Sequence, residues 1–343
     1  CLVGSEMCIR DSNSGPQCVV AKSLDVTGGW VEFFTAPFYN KAGDEMIYTG
    51  SVDGFRQVVS LNLKTFELTP RTSGKFVVTE ILKVNKEKNV ILFTANTAED
   101  SRVQHVYAVK NEANAAKVCL TCMPSSPYSY FSAEISADGT NLVISANGPE
   151  LPQVHMYTLQ VGENINLTNH VEIESNTQLK ALLEGKKLPK TVYHKIKLDN
   201  GSESQVMLSV PSDFDENKKY PMLVEVYGGP DSSSVTTRWS LDWGSYLVSS
   251  REIIYAKIDG RGSGLRGDEN LFALYRKLGT VEVHDQIETA EKLQQKNSYI
   301  DSERTAIWGW SYGGYVSGMS LTNDNSSVYK CAVSVAPGRS NKN

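Results

Sequence analysis

With 343 residues, 40% of them hydrophobic and 21% charged, the chain is long enough for two domains with buried cores. Its 34 basic and 39 acidic residues leave a net charge of −5 with no basic cluster, which argues against nucleic acid as a partner. No apolar run approaches the ~20 residues needed to span a bilayer, and no basic stretch followed by an apolar one marks a secretory signal.

Residues 1–12, from Cys1 to Ser12, follow neither the strand pattern after them nor any targeting pattern. They are similar to translated sequencing-adapter DNA and are expected to be a non-native leader, so Cys1 and Cys8 carry no functional weight. From about Val19 to His170 short strands alternate with polar turns and show no helical period. Apolar strands recur at Met46–Thr49, Val90–Thr94 and Leu142–Ser145, each after a turn-forming stretch. A second set follows at Val58–Leu61, Val106–Val109 and Met156–Leu159, and a Leu-Thr pair closes each unit (Leu68-Thr69, Leu120-Thr121, Leu167-Thr168). A repeat of 44 to 52 residues with about four strands per unit predicts β-propeller blades, about three of them, over residues 18–172.

Within the third unit's approach, Cys119-Leu120-Thr121-Cys122 could be a redox motif, half a zinc site or a short-loop disulfide. No second C-x-x-C or paired histidine completes a zinc set, so no metal is expected. A loop, Met123 to Pro127, follows where a thioredoxin-like site would place a helix. A structural disulfide is the favoured reading, and it implies an oxidising compartment. Sequons at Asn166, Asn200 and Asn325 are compatible with secretion.

Residues 173–189, with Leu179, Leu182 and Leu183 among charged neighbours, predict a short surface helix and an inter-domain linker. An Asn200-Gly201 turn between alternating strands then predicts a hairpin. Over 190–343 strand and helix alternate: a strand at Met222–Tyr227, a helix at Leu241–Ser249 and a strand at Ile253–Ile258. A helix at Val281–Lys296, a strand at Thr305–Trp308 and a final strand at Cys331–Ala336 complete the pattern. Such alternation predicts a parallel sheet with right-handed crossovers. Gly262-Ser263-Gly264-Leu265-Arg266-Gly267 matches a dinucleotide fingerprint, but a hairpin and a strand already precede it, so a tight loop near the active-site face is favoured and no cofactor is expected.

Gly309-Trp310-Ser311-Tyr312-Gly313 lies between an apolar strand and a helix-compatible segment, the context in which G-x-S-x-G forms a nucleophile elbow. Ser311 must project from a sharp turn, and Gly309 and Gly313 remove the side chains that would collide there.

The elbow Gly-Trp-Ser-Tyr-Gly-Gly-Tyr-Val resembles that of the dipeptidyl peptidase IV and fibroblast activation protein family, in the prolyl oligopeptidase group of serine peptidases. Tyr220–Pro230, Ile258–Gly264 and Leu278–Val283 also resemble family segments. The resemblance implies part of a β-propeller followed by an α/β-hydrolase domain truncated at its C-terminus, and removal of N-terminal Xaa-Pro or Xaa-Ala dipeptides. It makes Ser311 the nucleophile, with the Tyr227 hydroxyl and the Tyr312 backbone N–H as oxyanion donors. Phe34 corresponds to an aromatic that the propeller lends to the cleft, although Thr35 and Ala36 stand where a basic residue is expected. Cys119 and Cys122 match a family disulfide, and Cys18 and Cys331 match cysteines whose partners lie outside the chain. Peptide substrates, a homodimeric full-length parent, and a secreted or cell-surface location are implied as well, any membrane anchor lying outside this chain.

Departures are informative. The fold orders its triad Ser, Asp, His, yet the 32 residues after Ser311 include no histidine; the five histidines are 105, 155, 170, 194 and 284. Residues 338–343 leave the family pattern. The expectation is therefore a piece of an active peptidase lacking its triad Asp and His and inactive alone. The alternative is a non-catalytic binding or channel-associated subunit of the same family, disfavoured by the retention of Ser311 and Tyr227.

Overall fold

The computed structural model describes residues 2–3, 6–10, 18–23, 26–32, 36–113, 115–325 and 327–338. Phe34 lies outside them. The chain forms two compact units: one of residues 1–146 and 153–174, the other of residues 147–152 and 175–343.

The first unit is built of antiparallel sheets. Strands β1 (Leu2–Val3), β2 (Glu6–Arg10) and β3 (Cys18–Ser23) form the first, so the stretch set apart as a leader contributes two strands. Three four-stranded sheets follow, each ordered along the chain. They are β4 (Phe38–Tyr39) to β7 (Leu68–Pro70) through β5 (Glu45–Val52) and β6 (Phe55–Asn62); β8 (Val78–Asn85), β9 (Val90–Ala95), β10 (His105–Lys110) and β11 (Val118–Cys119); and β12 (Tyr130–Ile135), β13 (Asn141–Gly148), β14 (Gln153–Val161) and β15 (Ile165–Glu174). The apolar strands of the sequence repeat are β5, β9 and β13, the second strand of each sheet.

Alternation along β9 explains why Val90-Ile91-Leu92-Phe93 is apolar without interruption. Ile91 and Phe93 pack with Ile47 and Val58 of the preceding sheet, whereas Val90 and Leu92 pack with Leu142 and Ile144 of the following one. A strand buried on both faces has no polar side to show.

The second unit carries a six-stranded mixed sheet ordered β16-β17-β19-β18-β20-β21. The hairpin β16 (Lys190–Lys197) and β17 (Glu203–Val210) pairs antiparallel onto β19 (Ile254–Asp259). From there β19, β18 (Tyr220–Glu225), β20 (Ile300–Trp310) and β21 (Cys331–Val335) run parallel. Helix α1 (Thr177–Leu183) lies in the expected linker and buries no residue. Helix α2 (Trp243–Arg251) begins two residues later than expected, because Asp242 accepts the Ser245 N–H and Ser245 Oγ accepts the Asp242 N–H in a capping box. A short α3 (Asp268–Leu271) and a 3₁₀ turn precede α4 (Val281–Lys296), whose Val283, Ala290 and Leu293 are buried in the sheet's core with Val224, Ile254, Ile258 and Ile307. β20 is longer than the apolar signal at 305–308, since Ile300 already pairs with Tyr220 ahead of a register shift.

Candidate active site

β20 ends at Trp310 and α5 (Tyr312–Asn323) starts at Tyr312, so the whole reversal falls on Ser311. Its φ of 56° and ψ of −116° are sparsely populated for a residue with a side chain. Three backbone hydrogen bonds hold it there: the Ser311 N–H donates to the Val335 carbonyl (3.0 Å), and the Ser311 carbonyl accepts from Tyr315 (3.1 Å) and Gly338 (3.3 Å). The side chain is exposed. Both flanking glycines are sterically required. A Cβ at Gly309 would run into the carbonyls of Gly313 and Val226, and one at Gly313 into the same Val226 carbonyl.

β18 runs parallel beside β20 and ends in the loop that begins Val226-Tyr227-Gly228-Gly229-Pro230. Val226 is anchored by its N–H on the Trp308 carbonyl at 2.9 Å. Tyr227 is about half exposed, and its ring centroid lies 6.3 Å from that of Tyr312. The loop is fixed from below by Asp259 at the end of β19, which accepts the N–H groups of Ser234 (2.9 Å) and Val235 (2.8 Å). Burial pushes the Asp259 carboxyl above its ordinary pKa, against the downward pull of those two amides.

The glycine-rich stretch 260–267 is part of this scaffold. Its carbonyl at Gly262 accepts from Asp231 N–H (3.0 Å), and its Gly264 N–H donates to the Ser232 carbonyl (3.0 Å). No long helix opens on its glycines: α3 has four residues and starts after Gly267. Arg266 ties the stretch to β17 and β19 by donating to the carbonyls of Glu203 (2.5 Å) and Asp259 (3.1 Å) and to Ser263 Oγ (2.8 Å). Arg261 clamps it to α4, its guanidinium gripping the fully buried Asp285 carboxylate through Nη2 (2.6 Å) and Nε (3.0 Å).

Sequence reasoning missed Glu282. Its buried carboxylate accepts the N–H groups of Gly279 and Thr280 and the phenol of Tyr312 (2.7 Å). Burial first, then that carboxylate, raises the Tyr312 pKa well beyond a phenol's ordinary range. The signal available was a cluster of acids, Glu282, Asp285 and Glu288, on turns of a helix whose Val283, Ile287 and Ala290 face inward. Acids so close to a core stripe must be paired.

Trp310 is largely exposed at 63%, while Tyr315 packs on Tyr312 with ring centroids 5.6 Å apart. His284 is exposed and pairs with Glu288 on its own helix at 3.5 Å. Cys119 and Cys122 are joined as a disulfide, with His105 close to the sulfurs, which therefore offer no thiolate to a metal. Cys331 is a free, exposed cysteine, and the side chain of Cys18 is outside the description. Asn166, Asn200 and Asn325 are all exposed.

Comparison with known proteins places these features. A model of the prolyl oligopeptidase family matches residues 239–341, and one of the dipeptidyl peptidase IV N-terminal region matches residues 5–153. The chain is 34% identical to venom dipeptidyl peptidase 4 of Vespa velutina, over 93% of this chain and 42% of that protein. It is also 34% identical to prolyl endopeptidase FAP of Bos taurus, over 83% of this chain and 37% of that protein. Among solved structures, dipeptidyl peptidase 4 of Porphyromonas gingivalis superposes with a TM-score of 0.77 at 29% identity, covering 88% of this chain and 41% of that one. The chain thus spans about two fifths of the length of these relatives and combines a propeller-type region with a hydrolase fold. It belongs to the dipeptidyl peptidase IV and fibroblast activation protein family of serine peptidases.

Proposed function

We propose that the chain contributes the nucleophile and the oxyanion donors of a serine exopeptidase that removes Xaa-Pro or Xaa-Ala dipeptides from peptide N-termini through an acyl-enzyme on Ser311. The observation that carries this reading is the exposed serine on a left-handed turn, ringed by glycines that could not be anything larger. Attack on an amide carbonyl leaves a negative oxygen, which the Tyr312 N–H and the Tyr227 phenol would receive. The same exposed serine favours a peptidase over a non-catalytic family subunit.

Deprotonation of Ser311 needs a general base, and none of the chain's histidines follows the nucleophile as this fold requires. In this reading residues 1–343 are inactive alone, and the acid and base come from sequence they do not include. The parent is extracellular, secreted or at the cell surface, in keeping with the Cys119–Cys122 disulfide and the exposed sequons. A homodimeric parent follows from family resemblance.

The test joins residues 1–337 to the C-terminal portion of the wasp venom relative and assays an Xaa-Pro chromogenic substrate. Turnover by the chimera, abolished by Ser311→Ala and absent from residues 1–343, is expected. Turnover by residues 1–343 near that of a full-length relative, or a chimera indifferent to Ser311→Ala, would overturn the proposal.

A further inference from the structure

On the last sheet of the first unit, β14 and β15 bring two histidines face to face. His155 is the register partner of Glu172, and His170, two residues before Glu172 on β15, is its diagonal neighbour on the same face, next to a bulge between Met156 and Thr158. Nε2 of His170 lies 3.0 Å from Nδ1 of His155, with ring centroids 5.0 Å apart. Tyr157 stacks on the His170 ring at 5.0 Å and 23°, fixing its plane. His155 is half-buried, whereas His170 and Glu172 are exposed.

We propose that His155 and His170 are a two-nitrogen chelate for a divalent transition-metal ion of the zinc, nickel or copper class, with Glu172 as a third donor. At 3.0 Å the facing ring nitrogens make one hydrogen bond, in which one of them presents its lone pair, and a dication answers both nitrogens at once. Zinc–nitrogen bonds of about 2.0–2.1 Å in a tetrahedral site hold two nitrogens about 3.3 Å apart, so the rings need part by only a few tenths of an ångström. Strand pairing already fixes both backbones, and the Tyr157 stack spares His170 much of its ordering cost. Imidazole pairs with one carboxylate suit zinc, nickel and copper rather than calcium or magnesium. Glu172 sits across the ladder from His155 and two residues from His170, on the same face, so turning its side chain brings an oxygen to the ion. The exposed side of the sheet leaves the remaining positions to water.

The experiment is calorimetric titration of the metal-stripped chain with zinc chloride and nickel chloride, alongside NMR of the histidine rings. One saturable site is expected, with the ring signals of His155 and His170 moving together and that of His194 unmoved. His170→Asn and His155→Asn should each weaken affinity at least tenfold and Glu172→Gln by a few-fold, and circular dichroism of His170→Asn should match the parent because the side chain is exposed. Absence of saturable binding, binding unchanged in the double histidine variant, or zinc-induced shifts that spare these two rings would overturn the assignment.

Discussion

The Tyr312 phenol donates to Glu282 Oε1 at 2.7 Å, so the residue after the elbow serine is tethered through its side chain to the first turn of the neighbouring helix. Its backbone N–H is the proposed oxyanion donor, and the tether limits where that N–H can point. Glu282→Ala strands two donors at once, the buried Gly279 N–H and the Tyr312 phenol, whereas the Thr280 N–H keeps the Lys277 carbonyl at 3.2 Å. Each buried donor left unsatisfied costs ~1–3 kcal/mol. Tyr312→Phe leaves the carboxylate with its two amides. We therefore predict that Glu282→Ala destabilises the second unit by several kcal/mol and Tyr312→Phe by ~1 kcal/mol. Urea unfolding followed by tryptophan fluorescence measures both, since four of the five tryptophans (239, 243, 308 and 310) are in that unit. Equal losses in the two variants would contradict the reading.

Two glycines of α5 should behave oppositely. A Cβ at Gly313 collides with the Val226 carbonyl, which is held in the sheet by Val226's own hydrogen bond to Trp308. At Gly318 it would meet only Ser334 Oγ at 4.0 Å. Gly313→Ala is expected to cost ~3 kcal/mol, the upper part of the range for overpacking. Gly318→Ala removes a helix-interior glycine and should gain up to ~1 kcal/mol. Thermal unfolding of the two variants decides it, and a tolerated alanine at 313 would mean that the elbow relaxes.

Much of this site was legible because its constraints are local. An elbow must follow a strand, precede a helix and carry small neighbours, and Gly309, Ser311 and Gly313 state all three within five residues. α4 was legible over its full length, because its inward face repeats at helical spacing. Tyr227 could be placed near the serine only by resemblance, since which strand lies beside β20 depends on sheet order rather than on local pattern. The Glu282 tether and the Arg261 clamp depend on side chains 30 and 24 residues apart meeting across elements. No local propensity encodes such meetings.

Arg261 and Asp285 form a clamp whose two halves are unequal. Asp285 is fully buried, so without the Arg261 side chain its carboxylate keeps, among the described residues, the Arg261 backbone N–H at 2.8 Å and the attraction of the Arg266 charge. Breaking a buried pair from one side typically costs ~3–5 kcal/mol, and that is expected of Arg261→Ala. Arg261→Lys keeps the charge but loses the two-pronged geometry, so an intermediate loss is predicted. Replacing both, as Arg261→Met with Asp285→Leu, should cost less than Arg261→Ala alone. Three unfolding curves rank these variants, and a double variant worse than the single alanine would show that the charge pair itself is indispensable.

His105 makes the first unit sensitive to acid. It is buried between β10 and the disulfide loop, with Nδ1 3.1 Å from Thr121 Oγ1 and its ring 5.4 Å from that of Phe131. Burial lowers its pKa from the ordinary 6.5, and the Thr121 contact opposes that only in part. The sign follows from linkage. Below pH 6.5 the unfolded chain binds a proton that the folded chain refuses, so stability falls as pH drops from 6.5 towards the folded value and is flat above 6.5. The slope contributed by one such group is at most ~1.4 kcal/mol per pH unit. The protection factors of Val106 and Tyr107 in β10, with the intrinsic slowing of amide exchange at lower pH divided out, should therefore fall between pH 6.5 and 5. In His105→Gln, whose amide can still meet Thr121 but takes up no proton, that fall should vanish. If the variant and the parent lose protection in parallel, the acid sensitivity resides in other groups.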